Sequence, residues 1–327
     1  MSAISELSAL RGPKGQRKLT AAERKQRARE SNRDGWTGYV FLLPWLVGLL
    51  GITVGPMLGS LYLAFTDYNL IQPPEWNGIG NFARMLEDTR LHSSLKVTFI
   101  YVLVSTPIQL AVALLIAILL DRGMRGLAFY RSVFYLPSLL GSSVAIAVLW
   151  RQIFGTQGLF NQLLAQLNKI PFIDLPTDTG WISSPDTALG AIILLHVWTF
   201  GAPMIIFLAG LRQIPTMYYE AASVDGATKF WQFVHITLPL LSPIIFFNLT
   251  LQIIGAFQSF TQAFIVSNGT GGPSDSTLFY SLYLYQQGFA QYSMGYASAM
   301  AWVLLLIIAV FTAINFLIAK FWVFYDD

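Results

Sequence analysis

An all-α, polytopic membrane protein with six transmembrane helices is the fold class this sequence predicts, and three observations predict it. Of the 327 residues, 54% are hydrophobic and only 11% charged, and the mean hydropathy is +0.55. A soluble domain carries about 25% charged residues, so there are too few charges here to solvate the outside of a soluble globule. The apolar residues are also gathered into six stretches free of Asp, Glu, Lys and Arg, at 38–66, 97–120, 132–150, 187–211, 237–266 and 296–319. Each approaches or exceeds the roughly 20 residues a helix needs to cross hydrocarbon. The third observation is the one-sided placement of the basic residues.

The tail before the first stretch holds Arg11, Lys14, Arg17, Lys18, Arg24, Lys25, Arg27, Arg29 and Arg33. With that tail in the cytosol, cytosolic segments collect 15 of the 20 Lys and Arg, and the external loops 67–96, 151–186 and 267–295 hold five against eight acidic residues. The positive-inside rule then puts both termini in the cytosol of a multi-pass protein of the cell membrane. The expected organisation is a basic cytosolic tail at 1–36 and a transmembrane domain at 37–327. The tail has no apolar run before residue 36 and reads as an orientation signal rather than a cleaved signal peptide. Its part from Thr20 to Glu30 is compatible with a basic helix on anionic lipid, and nothing in it points to nucleic acid.

The first, third and fifth stretches carry Pro44, Pro56, Pro137 and Pro243, which membrane helices tolerate when neighbours satisfy the freed backbone groups. Cysteine is absent, so there is no disulfide and no thiolate metal site, and no cofactor or metal is expected. No Gly-x-x-x-x-Gly-Lys-Ser/Thr loop occurs, so the chain has no phosphate cradle of its own and is not expected to be an enzyme. His196 is the only ionisable residue of its kind inside a stretch. It reads as a packing residue more readily than as a proton relay, which weakens a secondary carrier as an alternative.

The most informative segment joins the fourth and fifth stretches, from Leu211 through Pro215, Glu220-Ala221-Ala222, Asp225-Gly226 and Ile236 to Leu238-Pro239. Pro215 favours a helix start and Asp225-Gly226 a turn. A second short amphipathic piece follows, giving a helix-turn-helix along the cytosolic side. Glu220 is placed to fix one end on a partner by charge-assisted hydrogen bonds.

This segment resembles the signature loop of permeases of binding-protein-dependent ABC importers: Glu-Ala-Ala, three residues, Gly, nine residues, then Ile-x-Leu-Pro. Glu220, Ala221, Ala222, Gly226, Ile236, Leu238 and Pro239 meet every fixed position. Phe41-Leu42-Leu43-Pro44, Asn77-Gly78-Ile79-Gly80-Asn81-Phe82 and Ser267-Asn268-Gly269-Thr270-Gly271-Gly272-Pro273-Ser274 narrow the resemblance to the carbohydrate branch, the maltose-type and glycerol-phosphate-type permeases. It implies a type I importer permease fold with a family core at about 93–320 and a coupling loop at 212–239 docked on an ATPase subunit. Four kinds of partner follow from it: a second permease, two ATPase subunits, an external solute-binding protein and a sugar, with membrane lipid around the whole. An importer of another solute, such as glycerol phosphate, stays as the alternative. No stretch carries the Arg or Lys a phosphate would favour.

For the solute path, Asn248, Gln252, Ser259 and Gln262 fall within roughly an 80° sector of a continuous fifth helix. Such a stripe faces a water-filled path or bonds neighbouring helices. By resemblance to the maltose-type permease, contacts fall near Ser138 and Ser142 in the third stretch, Trp198 and Thr199 in the fourth, and Gln252 and Ser259 in the fifth. Ser138 and Ser142, one turn apart on one helix, would share a face.

Overall fold

The computed structural model describes residues 39–121, 126–170, 172 and 174–324, so the basic tail lies outside the described residues. By internal contacts the chain falls into two units, 1–60 and 61–327. Helix α1 (Tyr39–Ala64) begins in the first unit and runs into the second. It widens into a π-turn at Leu49–Val54, just before Pro56. A proline lacks the N–H its α-helical turn needs, and a wider turn removes the clash of its ring with the preceding carbonyls.

In the second unit a two-residue ribbon pairs β1 (Thr66–Asp67) with β2 (Glu75–Trp76), Thr66 opposite Trp76. Helix α2 (Gly80–Glu87) is clasped to it through Asn81, whose Nδ2 donates to Ala64 O (2.9 Å) and Thr66 O (2.8 Å). Asn77-Gly78-Ile79-Gly80-Asn81 is thus a structural clasp. Gly78 takes φ +58, and a Cβ on Gly80 would overlap the Asn77 side chain.

Helix α3 (Thr89–Asp121) is the longest at 33 residues, about 50 Å at about 1.5 Å per residue. It is the central post, packed on five later helices. The third apolar stretch forms α4 (Leu127–Leu140) and α5 (Val144–Ile153), bent by 95°. This corrects the expectation of one rod. Gly141, Ser142 and Ser143 interrupt it, and Ser143 caps α5 by accepting Ile146 N–H at 3.3 Å, the local hydrogen bonding by which serine competes with helix continuation. After α6 (Leu159–Leu167), the fourth stretch forms α7 (Ala188–Trp198) and α8 (Gly201–Leu211), bent by 42°.

Helix α9 (Thr216–Val224) is followed by one turn, α10 (Lys229–Gln232), a π-turn at Phe233–Thr237, α11 (Leu238–Phe257) and α12 (Thr261–Val266). From Lys229 to Val266 these make one 38-residue run, interrupted at 258–260 without a sharp bend. The expected second helix of the loop is therefore the first turn of the helical run from Lys229 to Val266. The π-turn explains the continuity: it precedes Pro239 as the first π-turn precedes Pro56. Helix α13 (Tyr280–Tyr285) and helix α14 (Met294–Trp322) complete the chain. Among the described residues four helices are thus long and apolar enough to cross a membrane, or up to six if each bent pair is one span.

The core has two apolar centres. One gathers Leu110, Ala113, Met204, Phe207, Leu208, Leu211 and Leu241 at the end that leads to α9. The other, larger one includes Tyr101, Phe257, Phe279, Tyr280, Tyr296 and Met300.

The candidate coupling loop and the candidate solute path

Helix α9 is built to stand out from the bundle and to stop abruptly. Pro215 is its N-cap, with φ −61 and ψ 134, one position earlier than the first-turn placement the sequence suggested. At the other end Gly226 takes φ +79, its N–H donating to Ser223 O (3.1 Å) while Ala227 N–H donates to Ala222 O (2.9 Å). That pair of bonds is a Schellman C-cap, and it is why glycine follows Asp225: the left-handed conformation is open to glycine at no steric penalty. Thr228 then caps the next turn by accepting Trp231 N–H at 3.3 Å.

The loop is locked from within by residues the sequence gave no reason to single out. Gln232, only 3% exposed, donates to Ser223 Oγ (2.9 Å) and Ala227 O (3.3 Å). The Tyr219 hydroxyl meets Thr237 Oγ1 at 2.9 Å, and Trp231 stacks on His235 at 4.3 Å between ring centroids. Arg212 reaches Asp121 at 3.4 Å, tying the loop's start to the end of α3.

Against this rigid interior the outer face is apolar and bare. Val224 is 88% exposed, Phe230 76% and Met217 64%. Glu220, Ala221 and Asp225 are exposed, and Ala222 is buried. A groove of about 610 Å³ is lined by Ala222, Asp225, Gly226, Ala227, Thr228, Trp231 and Ile236, so four of the signature or turn residues border one concavity. Leu238 and Pro239 lie half-buried at the start of α11.

The path candidates converge on the interruptions of the third, fourth and fifth stretches. Ser138 Oγ donates to Thr199 O (2.8 Å) and accepts Ala202 N–H (2.9 Å). Thr199 Oγ1 donates back to His196 O (2.7 Å). Gln109, not foreseen, donates from Nε2 to His196 O (3.0 Å), Thr199 O (3.2 Å) and Thr199 Oγ1 (3.0 Å). Gln262 Nε2 reaches Gly141 O at 3.3 Å, and Ser259 Oγ donates to Gln262 Oε1 at 3.4 Å. A Cβ on Gly141 would overlap Thr199 Cγ2, and one on Gly201 would overlap Phe134 O, so both glycines are required by close approach.

Two expectations change. Ser138 lies in the last turn of α4 whereas Ser142 lies exposed in the break beyond it, so they do not share a helix face. The polar sector of the fifth stretch holds only for Asn248 and Gln252, because Ser259 sits in the interruption and Gln262 on α12. Asn248 is buried and bonds its own helix at Ile244 O (3.0 Å), while Gln252 is half-buried. Trp198 packs on Trp150 with ring centroids 5.7 Å apart. His196 lies edge-on to Tyr101 at 5.4 Å, a packing role. Among the described residues no group of three or more His, Cys, Asp or Glu is placed to hold a metal.

At the opposite end of the bundle, Asp88 gathers four donors: the hydroxyls of Tyr283 (2.7 Å) and Tyr296 (2.8 Å) and the backbone N–H groups of Arg90 and Leu91 (3.0 Å each). Desolvation pushes its carboxyl up, but the Tyr283, Leu91, Tyr296 and Arg90 hydrogen bonds together outweigh it and hold the group below its ordinary value. Arg90 in turn forms a bidentate pair with Asp275 (2.7 and 3.0 Å), pinning the loop that carries Gly271 and Gly272.

The fold and the sequence have known counterparts. The chain is 49% identical over 94% of its length, and 97% of the relative's, to the probable ABC transporter permease protein YesP of Bacillus subtilis. It is 31% identical over 86% of its length, and 94% of the relative's, to the lactose transport system permease protein LacF of Rhizobium radiobacter. A chain of a bacterial alginate ABC transporter, solved in complex with an alginate pentasaccharide-bound periplasmic protein, superposes with a TM-score of 0.72 over 89% of this chain and 96% of that one, at 21% identity. Residues 89–322 match the binding-protein-dependent transport system inner membrane component family. With that match covering most of the length, from the start of α3 to the end of α14, this chain belongs to the family of binding-protein-dependent transport system inner membrane components.

Proposed function

We propose that this chain is a membrane-spanning subunit of an ATP-driven importer for oligosaccharides. It pairs with a second permease, and two separate ATPase subunits dock on the loop at 212–239. The observation that carries the reading is the character of α9: a rigid, capped helix with bare apolar residues and an adjacent groove, at the positions of the family's signature. An exposed apolar patch rimmed by polar groups marks a protein-binding surface, and the absence of a phosphate-binding loop means hydrolysis comes from elsewhere.

In this reading the transmembrane domain is 37–327, with six spans and both termini cytosolic in accordance with the basic residues. The tail 1–36 lies on the cytosolic side. An external binding protein delivers solute to the end of the bundle marked by Asp88 and Asp275. The path runs past Ser138, Ser142, Trp198, Thr199, Asn248, Gln252, Ser259 and Gln262, whose hydroxyls, amides and one indole suit a neutral sugar. The lactose permease relative supports a saccharide. ATP-driven closure of the ATPase pair moves α9 and switches the path between its two openings.

The test is reconstitution of the chain with its second permease and ATPase subunits in proteoliposomes, followed by uptake of labelled oligosaccharide from the binding protein. Uptake that requires ATP and fails with the binding protein omitted is the expected result. Uptake driven by a proton gradient without ATP would make the chain a secondary carrier.

A further inference from the structure

The bend between α7 and α8 is held by side chains on two other helices, Gln109 on α3 and Ser138 on α4. A break in a membrane helix frees carbonyl oxygens that hydrocarbon cannot satisfy. Here Thr199 O has no backbone partner and is taken by the Gln109 amide at 3.2 Å and Ser138 Oγ at 2.8 Å, while His196 O, bonded locally by Thr199 N–H (3.0 Å) and Oγ1 (2.7 Å), takes a further bond from Gln109 at 3.0 Å. Gln109 is 1% exposed and sits in the middle of α3, two residues after Pro107.

The half-helix beyond the bend is mechanically continuous with the coupling loop. Only Arg212–Pro215 separate α8 from α9, and a Cβ on Gly210 would overlap Ile244 Cδ1 and lie 2.9 Å from Leu241 Cδ1, so the side chains of α11 pack directly onto the backbone of α8. The seam between α3 and α7 also holds spare polar capacity. Ser105 Oγ, Thr106 Oγ1, Gln109 Oε1 and His196 Nε2 are buried with no hydrogen-bond partner among the described residues. Tyr101, Ser105 and Gln109 recur every four residues on α3, and the first and last of them touch His196. A half-satisfied buried network is a place where a second arrangement can find partners.

We propose that Gln109 is a positioning residue for transport: it clamps a hinge at Thr199–Phe200 about which α8 tilts together with the coupling loop. Movement imposed on α9 passes through α8 and is released at the one point where the fourth span has no continuous backbone ladder. This rests on the reading of the chain as an ATP-driven importer, and it adds where the motion is absorbed and what restrains it.

The chain has no cysteine, so spin-label pairs can be introduced without removing native residues. The experiment uses the reconstituted complex, with partner subunits freed of reactive cysteine. Leu194→Cys with Ala209→Cys places exposed labels on either side of the bend, and Ala209→Cys with Phe247→Cys places them on α8 and α11 alone. Ten residues of helix make a lever of about 15 Å, so a tilt of about 15° moves the far label by about 4 Å.

The first distance is expected to shift between the nucleotide-free complex and one held with a non-hydrolysable ATP analogue, while the second stays fixed. Gln109→Leu should broaden the first distribution without nucleotide and lower the sugar moved per ATP hydrolysed severalfold. Ser138→Ala, a smaller change, should do so more weakly and covers the case in which the first variant fails to fold. A Leu194–Ala209 distance that is the same in both nucleotide states overturns the hinge, and variants with wild-type distributions and coupling overturn the clamp. If wild-type uptake needs no ATP, it is the importer reading that fails.

Discussion

The Tyr219 hydroxyl lies 2.9 Å from Thr237 Oγ1, joining α9 to the π-turn that leads into α11. The bond is one of few cross-links that keep α9 from swinging as a loose arm, because α9 buries only Ala222. A double-mutant cycle of Tyr219→Phe and Thr237→Val should give a coupling energy of about 0.5–1.5 kcal/mol, the range of a net protein hydrogen bond. Thermal unfolding in detergent measures it, and additive effects would mean the two groups do not interact.

Glu220→Lys should abolish both sugar uptake and the stimulation of ATP hydrolysis while the chain still inserts and is recovered from membranes. Gly226→Pro should do the same by a different route, since proline cannot take φ +79 and lacks the N–H bonded to Ser223 O. Gly226→Ala separates conformation from bulk. Space around Gly226 is open, so only the left-handed strain of about 1–2 kcal/mol remains, and uptake should be reduced rather than lost. Normal transport by Glu220→Lys would remove the coupling role.

On the proposed reading, Gln252→Leu should alter uptake kinetics with little change in thermal stability, because Gln252 is half-buried and lies within α11 rather than at a break. Ser138→Ala should instead lower the melting temperature, since both roles of its hydroxyl are used between α4 and α8. The pair of measurements, KM for the sugar and Tm of the purified complex, sorts path residues from packing residues. Equal effects on both by both variants would erase the distinction.

Asp88 has its carboxyl held below the ordinary value, which fixes the sign of its pH dependence. A carboxylate lowered in the folded state contributes stability that is complete above its unfolded pKa and is lost as pH falls through the folded one. The tie to Tyr283 and Tyr296 should therefore be intact at neutral pH and weaken only below about pH 4. Asp88→Asn should flatten that acid limb in a stability-against-pH series while lowering stability at pH 7.

Gly210→Val should destabilise the chain by about 1–3 kcal/mol or more, the range for overpacking, because there is no room for a side chain against Ile244 and Leu241. Loss of uptake in proportion to loss of folded protein is the expected pattern, read by fluorescence-detected size exclusion.

Hydropathy made the six apolar stretches legible because helix formation in lipid is forced by backbone satisfaction and needs no tertiary knowledge. The spacing from Glu220 to Pro239 was legible for a related reason: cap, turn and span entry are local chemistry. The breaks were harder to read. Gly141-Ser142-Ser143 tolerates a helix or a kink, and the 95° choice is made by Thr199 and Gln262 approaching from other helices. Gln109 left no trace, since a lone glutamine in an apolar run looks the same whether it faces a carbonyl or a neighbour's side chain. The stripe in the fifth stretch misled beyond Phe257 because periodicity assumes an unbroken ladder.

The π-turn at Phe233–Thr237 has a bearing on how this family can vary. Such a turn stores one extra residue, and removing one residue there restores an ordinary turn. The wide turn takes up that residue locally, so the helix on either side of it keeps nearly the phase it would have in an unbroken α-helix. Single-residue gain or loss at this spot is therefore a tolerated change of length. Asn248 and Gln252 would go on facing the same neighbours, whereas the same change within the regular part of α11 would turn everything after it by about 100°.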